Sequence, residues 1–71
     1  MNKNEARKFK IIDFLTEEQI QQCARIGNAT DICEQVIAPN IEEINRKLGQ
    51  ENNPKYLAYA VEYALLQAKM L

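Results

Sequence analysis

The sequence has no histidine and no tryptophan, and only two glycines, two prolines and two cysteines. Each scarcity removes a class of function. Without histidine the commonest general acid–base group is missing, and so are the Glu-x-x-His ligand pairs of di-iron helical bundles. Two cysteines without spaced partners do not complete a tetrahedral zinc set. With glycine only at positions 27 and 49, no glycine-rich loop can cradle a phosphate. No apolar run reaches the about 18 residues that suggest a membrane span. The opening MNKNEARKFK leads into no long apolar stretch, so no signal peptide is expected. The expected setting is the cytoplasm, with both thiols reduced. Charge of one sign is also lacking: 9 basic and 10 acidic side chains leave a net −1, without the basic excess of a nucleic-acid-binding module.

What remains is a chain of 71 residues, 46% of them hydrophobic, which argues for a folded domain over disorder. A domain this small hides only about 60% of the surface its unfolded chain exposes, so a partner chain, a metal or a disulfide commonly adds to its stability. One all-α domain spanning 1–71 is expected: an arm or short helix over 1–15, a helical stretch over 16–49, and a C-terminal helix over 53–71.

Helix signals follow the arm. Within NEARKFKIIDFL, Asn4 can cap a short helix, or Phe9 and Ile11 can share one side of an extended arm; Phe14 and Leu15 enter the core either way. Thr16 and Gln19 form a capping box, and Leu15 and Ile20 a hydrophobic staple. Glu17 and Glu18 suit the dipole of the first turn, and Gly27 can close the helix. Asn28 or Thr30 then caps a second helix, whose stripe Cys33, Ile37, Ile41, Ile44 and Leu48 holds its phase across Pro39. That continuity predicts a kink at the proline. The rival is a fresh helix capped by Asn40 and Glu43. A further alternative joins 17–48 into one helix, through a heptad seam that includes Gly27, Thr30 and Glu34.

The last helix starts at Asn53 as cap and Pro54 as first residue, where its missing N–H is no loss. Lys55, Glu62 and Lys69 form one narrow polar stripe. The rest divides into two apolar faces: Leu57, Ala60, Val61, Ala64 and Ala68 on one, Tyr56, Tyr59, Tyr63, Leu66 and Met70 on the other. A helix apolar nearly all round is buried nearly all round. Two other helices cannot wrap it on every side. One face is therefore expected to meet a second copy, giving a small helical hairpin or three-helix unit completed by oligomerisation into a bundle, most simply a homodimer.

The candidate chemistry is thin. Cys33, near a helix start, is better placed for a thiolate than Cys23, yet Asp31 and Glu34 oppose its deprotonation; both cysteines read as small core hydrophobes. Glu17–Glu18 and Glu42–Glu43 are adjacent pairs, which do not face one direction on a helix. No catalytic, metal or cofactor residues are assigned, and no enzyme activity is expected. The candidate interaction residues are Tyr56, Tyr59, Tyr63, Leu66 and Met70, with the Ala60, Ala64 and Ala68 ridge as the route for close helix approach. Arg7, Lys8 and Lys10 are the candidate contacts for an anionic partner. The leading expectation is a non-enzymatic protein of the kind small bacterial or phage regulators, adaptors and inhibitors represent, self-associating through its last helix. One alternative is a nucleotide or metabolite binder, its subunit-interface pocket built from tyrosine hydroxyls, asparagines and Arg25, Arg46 or Lys47. A third is helix-turn-helix-like DNA binding by the second helix, which Glu42 and Glu43 oppose.

Overall fold

A computed structural model describes residues 13–71; the basic cluster Arg7, Lys8 and Lys10, and the alternatives at Asn4, Phe9 and Ile11, lie outside them. The described chain is all-α, and none of its helices is long and apolar enough to cross a membrane. Helix α1 is Glu17–Ile26, α2 is Ala29–Ile32, α3 is Ile41–Leu48 and α4 is Pro54–Gln67. Between α2 and α3 run a π turn, Cys33–Ile37, and a 3-10 turn, Ala38–Asn40. The stretch 29–48 is thus one helical rod with an irregular middle, and the fold is three helices packed on a single core.

Several helix ends are closed by a residue suited to them. The Thr16 N–H donates to Gln19 Oε1 at 2.9 Å and the Gln19 N–H donates to Thr16 Oγ1 at 3.1 Å, the reciprocal box that satisfies two otherwise orphaned donors. Gly27 closes α1 at φ 82°, its N–H donating to Cys23 O at 3.0 Å. This left-handed residue separates α1 from the rod, so the single helix over 17–48 does not form. Glu34 and Thr30, placed in the seam by that alternative, are exposed. Asn28 caps α2, accepting the Asp31 N–H at 2.9 Å on its side-chain oxygen. Gly49, at φ 74°, ends α3 in a Schellman closure: its own N–H donates to Arg46 O at 3.3 Å and that of Gln50 to Asn45 O at 3.2 Å.

Pro39 explains the irregular middle of the rod. A proline inside an α-helix removes one N–H and drives its ring against the carbonyl four residues back. Here the preceding turn widens, with the Ala38 N–H donating to Cys33 O, and the following turn tightens, with the Ile41 N–H donating to Ala38 O. Asn40 does not cap a new helix. Its Nδ2 instead donates back to Val36 O at 2.7 Å, a carbonyl beside the disrupted turn.

The wide turn also corrects the expected stripe. It inserts one residue, so the buried set runs Ala29 and Ile32 before it, Val36 and Ile37 within it, and Ile44 after it. Val36 and Ile37, adjacent residues of the wide turn, are both fully buried. Cys33, Ile41 and Leu48, expected in the core, are only half-buried and pack on its margin. Phe14, Leu15, Ile20 and Cys23 complete the core from the N-terminal side. The Lys47 ammonium donates to Phe14 O at 3.2 Å, which fastens the entry segment to the end of α3.

Helix α4 is shorter than the 53–71 expected. Lys69 adopts φ 58°, and a second Schellman closure forms there: the Met70 N–H donates to Leu65 O at 2.9 Å and the Lys69 N–H to Leu66 O at 3.0 Å. Glycine usually holds this position, so the sequence carries no sign of the stop. At the other end Asn53 accepts the Lys55 N–H at 2.9 Å on Oδ1, and Pro54 occupies the first turn.

Candidate functional site

Helix α4 divides its apolar side chains between a buried side and an exposed side. Leu57, Ala58, Val61, Ala64, Leu65 and Ala68 are buried against α1 and the rod. At 100° per residue they occupy one side, and the tyrosines occupy the opposite side. Tyr56 is 74% exposed, Tyr59 53%, Tyr63 61% and Leu66 50%, while Met70 is half-buried against the core margin. The chain therefore covers the alanine side for itself and leaves the tyrosine side open. Ala64 and Ala68 are within the core and Ala60 is half-buried, so of the interaction candidates the tyrosines and Leu66 are the ones a partner can reach. Ala58 and Leu65 were absent from both expected faces; they fill the side nearest Glu62.

Small residues face inward for a packing reason. Where Ala58, Ala64 and Ala68 meet the core, larger side chains would overfill a packed interior and force strained rotamers. Tyrosine facing outward keeps its hydroxyl wet and its ring available.

Glu62 is not part of a solvated stripe. It is half-buried, and its Oε2 accepts the backbone N–H of Ala29 at 3.0 Å, across 33 residues of sequence. Ala29 opens α2, so a carboxylate from α4 fills one of the donors that a helix start leaves orphaned and sits at the positive end of its dipole. This contact fixes how α4 lies along the rod. Periodicity cannot find it, because it joins two elements through one side chain and one backbone group.

That placement opens a groove beside the tyrosine row. It holds about 170 Å³ and is lined by Ala29, Thr30, Cys33 and Glu34 from the rod and by Lys55 and Tyr59 from α4. Cys33 is half-buried at its wall. Cys23 is fully buried in the core, and burial pushes its thiol up to about 11, which keeps it protonated at neutral pH. A second hollow, open and polar, lies by Pro39 and Arg46. Arg46 lines that hollow and Lys47 holds Phe14 O, so neither reaches the tyrosine groove. Helix α3 turns Glu42, Glu43, Arg46 and Lys47 outward together, a face of balanced charge. Among the described residues no three acidic or cysteine side chains converge as metal ligands. No protein-family model matches the sequence, and neither the curated proteins nor the solved structures searched yield a match.

Proposed function

We propose that the protein is a non-enzymatic interaction module that associates with itself through the outward face of α4. The observation that carries this reading is the row Tyr56, Tyr59, Tyr63 and Leu66, each at least half exposed, on a helix whose opposite side is wholly used by the core. Tyrosine supplies a large contact area with few rotors to immobilise, and is enriched where interfaces concentrate their binding energy. Contiguous exposed apolar surface of several hundred Å² usually marks an interaction site. The balanced charge of the chain adds no electrostatic reason to meet nucleic acid or a membrane surface.

Sedimentation from dilute to concentrated solution tests the reading. Native protein should grow in mass with concentration. Tyr59→Glu, which places a charge in the centre of the row, should remain monomeric with unchanged helix content. Native protein that stays monomeric at every concentration overturns self-association.

A further inference from the structure

We infer that the self-associated form is a two-fold dimer in which the α4 helices lie antiparallel and Tyr63 of each copy fills the groove of the other. This rests on the self-association proposed above and adds the register and the residue that occupies the groove.

The groove selects an aromatic ring with a polar tip. Its volume is about 170 Å³, and a cavity of about 150 Å³ accommodates benzene. Ala29, Cys33 and the ring of Tyr59 supply apolar wall, while Thr30, Glu34 and Lys55 can meet a phenolic hydroxyl. The Lys55 ammonium can also lie over a ring face. The exposed aromatics of the described chain are Tyr56, Tyr59 and Tyr63, all on α4. Groove and filler thus share one surface, as an isologous contact between identical copies requires.

The helix length sets the register. The centre of Pro54–Gln67 falls between Ala60 and Val61. A two-fold axis there sets Tyr63 of one copy opposite Ala58 of the other, within the Lys55–Tyr59 stretch that walls the groove. The misalignment from the middle of that stretch is one residue, about 1.5 Å. The same axis sets Lys55 opposite Leu66, beside the carbonyl end of the facing helix, where a cation is favoured. A parallel pairing would instead bring Lys55 against Lys55.

The tyrosine row supplies about half of the surface a standard dimer needs. Aromatic side chains bring roughly 150–250 Å² each, so the three exposures, 74%, 53% and 61%, leave roughly 400 Å² of tyrosine surface. Leu66 and the rim at Lys55, Gln67, Thr30 and Glu34 add to it, toward the about 800 Å² that each partner of a standard interface contributes.

Cys33 reports on the groove directly, and Cys23 stays silent because it is buried and protonated. Maleimide labelling of the native protein should slow several-fold at Cys33 as sedimentation shows the dimer forming. In Tyr63→Cys, a short bis-maleimide cross-linker should link Cys33 of one copy to position 63 of the other, because a direct disulfide would not span the gap a ring fills, with the linked peptides identified by mass spectrometry. A protein that never associates overturns both the self-association and this register. A dimer whose Cys33 labels at the monomer rate, or whose link joins position 63 to position 63, keeps self-association and overturns the register.

Discussion

Replacing Glu62 by alanine tests the contact that seats α4. The carboxylate accepts one hydrogen bond, from the Ala29 N–H at 3.0 Å, at the start of α2. Hydrogen bonds to charged groups contribute about 1.5–3 kcal/mol, and a negative charge at a helix start about 0.3–1 kcal/mol when exposed. Glu62 is half-buried, and water can reach the freed N–H of Ala29, so the lower part of that range applies, about 1–2 kcal/mol. A chain of this size has roughly 4–10 kcal/mol in total. For such a domain each kcal/mol moves the melting midpoint by about 4–8 °C. Glu62→Ala should therefore melt about 5–12 °C below the native protein in circular dichroism, with the same initial helix signal. Glu62→Gln keeps a neutral acceptor and should fall between the two. If Glu62→Ala melts with the native protein, Glu62 is only a solvated surface residue and the seating of α4 described above is wrong.

Three other outcomes follow from single groups. Lys69 holds a left-handed φ of 58°, a conformation that burdens a side-chain-bearing residue by roughly 1–2 kcal/mol. Lys69→Gly should raise stability by about 1 kcal/mol in urea titration once the greater freedom of unfolded glycine is subtracted; a loss of stability would mean that the closure at Met70 does not form. Gly27→Ala should destabilise by about 1 kcal/mol through φ alone, since a Cβ there meets nothing within 4 Å. The Cys23 thiol is raised from 9.0 to about 11 by burial. The folded state thus holds its proton longer, so its contribution is full below pH 9 and is lost as pH rises through 11, roughly 2–3 kcal/mol in all. Urea midpoints of the native protein and Cys23→Ala across that window should converge; parallel curves would refute the burial of the thiol.

Local chemistry was legible in the sequence and long-range geometry was not. Thr16 with Gln19, Asn53 with Pro54, and Gly27 and Gly49 each announce a helix end through a side chain or a missing Cβ, and the helices begin and end there. The wide turn at Cys33–Ile37 was signalled only indirectly. Pro39 predicts a disturbance, and a stripe counted with one uniform period passes over the extra residue, so Cys33 was placed inward in place of Ile32 and Val36. The stop at Lys69 had no glycine to mark it. For the candidate site, the two apolar faces of the last helix could be drawn from spacing alone. Which face the chain keeps for itself is set by tertiary packing, of which the Glu62–Ala29 contact is one part invisible to periodicity.

The division between those faces bears on what the helix is for. Turning α4 by half a revolution would bury three tyrosines and Leu66 in place of Leu57, Ala58, Val61, Ala64, Leu65 and Ala68. The fold takes the other orientation. The inward tyrosine hydroxyls would each need a partner in a core whose buried side chains are all apolar. Monomer stability therefore accounts for alanine inward. It does not account for tyrosine outward, since lysine, glutamate or glutamine would hold an exposed helix position equally well. An outward row of three tyrosines, ending in Leu66 and flanked by a groove of ring size, is what the proposed contact between copies would require. Exchanging Tyr56, Tyr59 and Tyr63 together for glutamine should accordingly leave the melting midpoint of dilute protein nearly unchanged while abolishing its dependence on protein concentration. A large fall in the dilute midpoint would show instead that the tyrosines serve the fold.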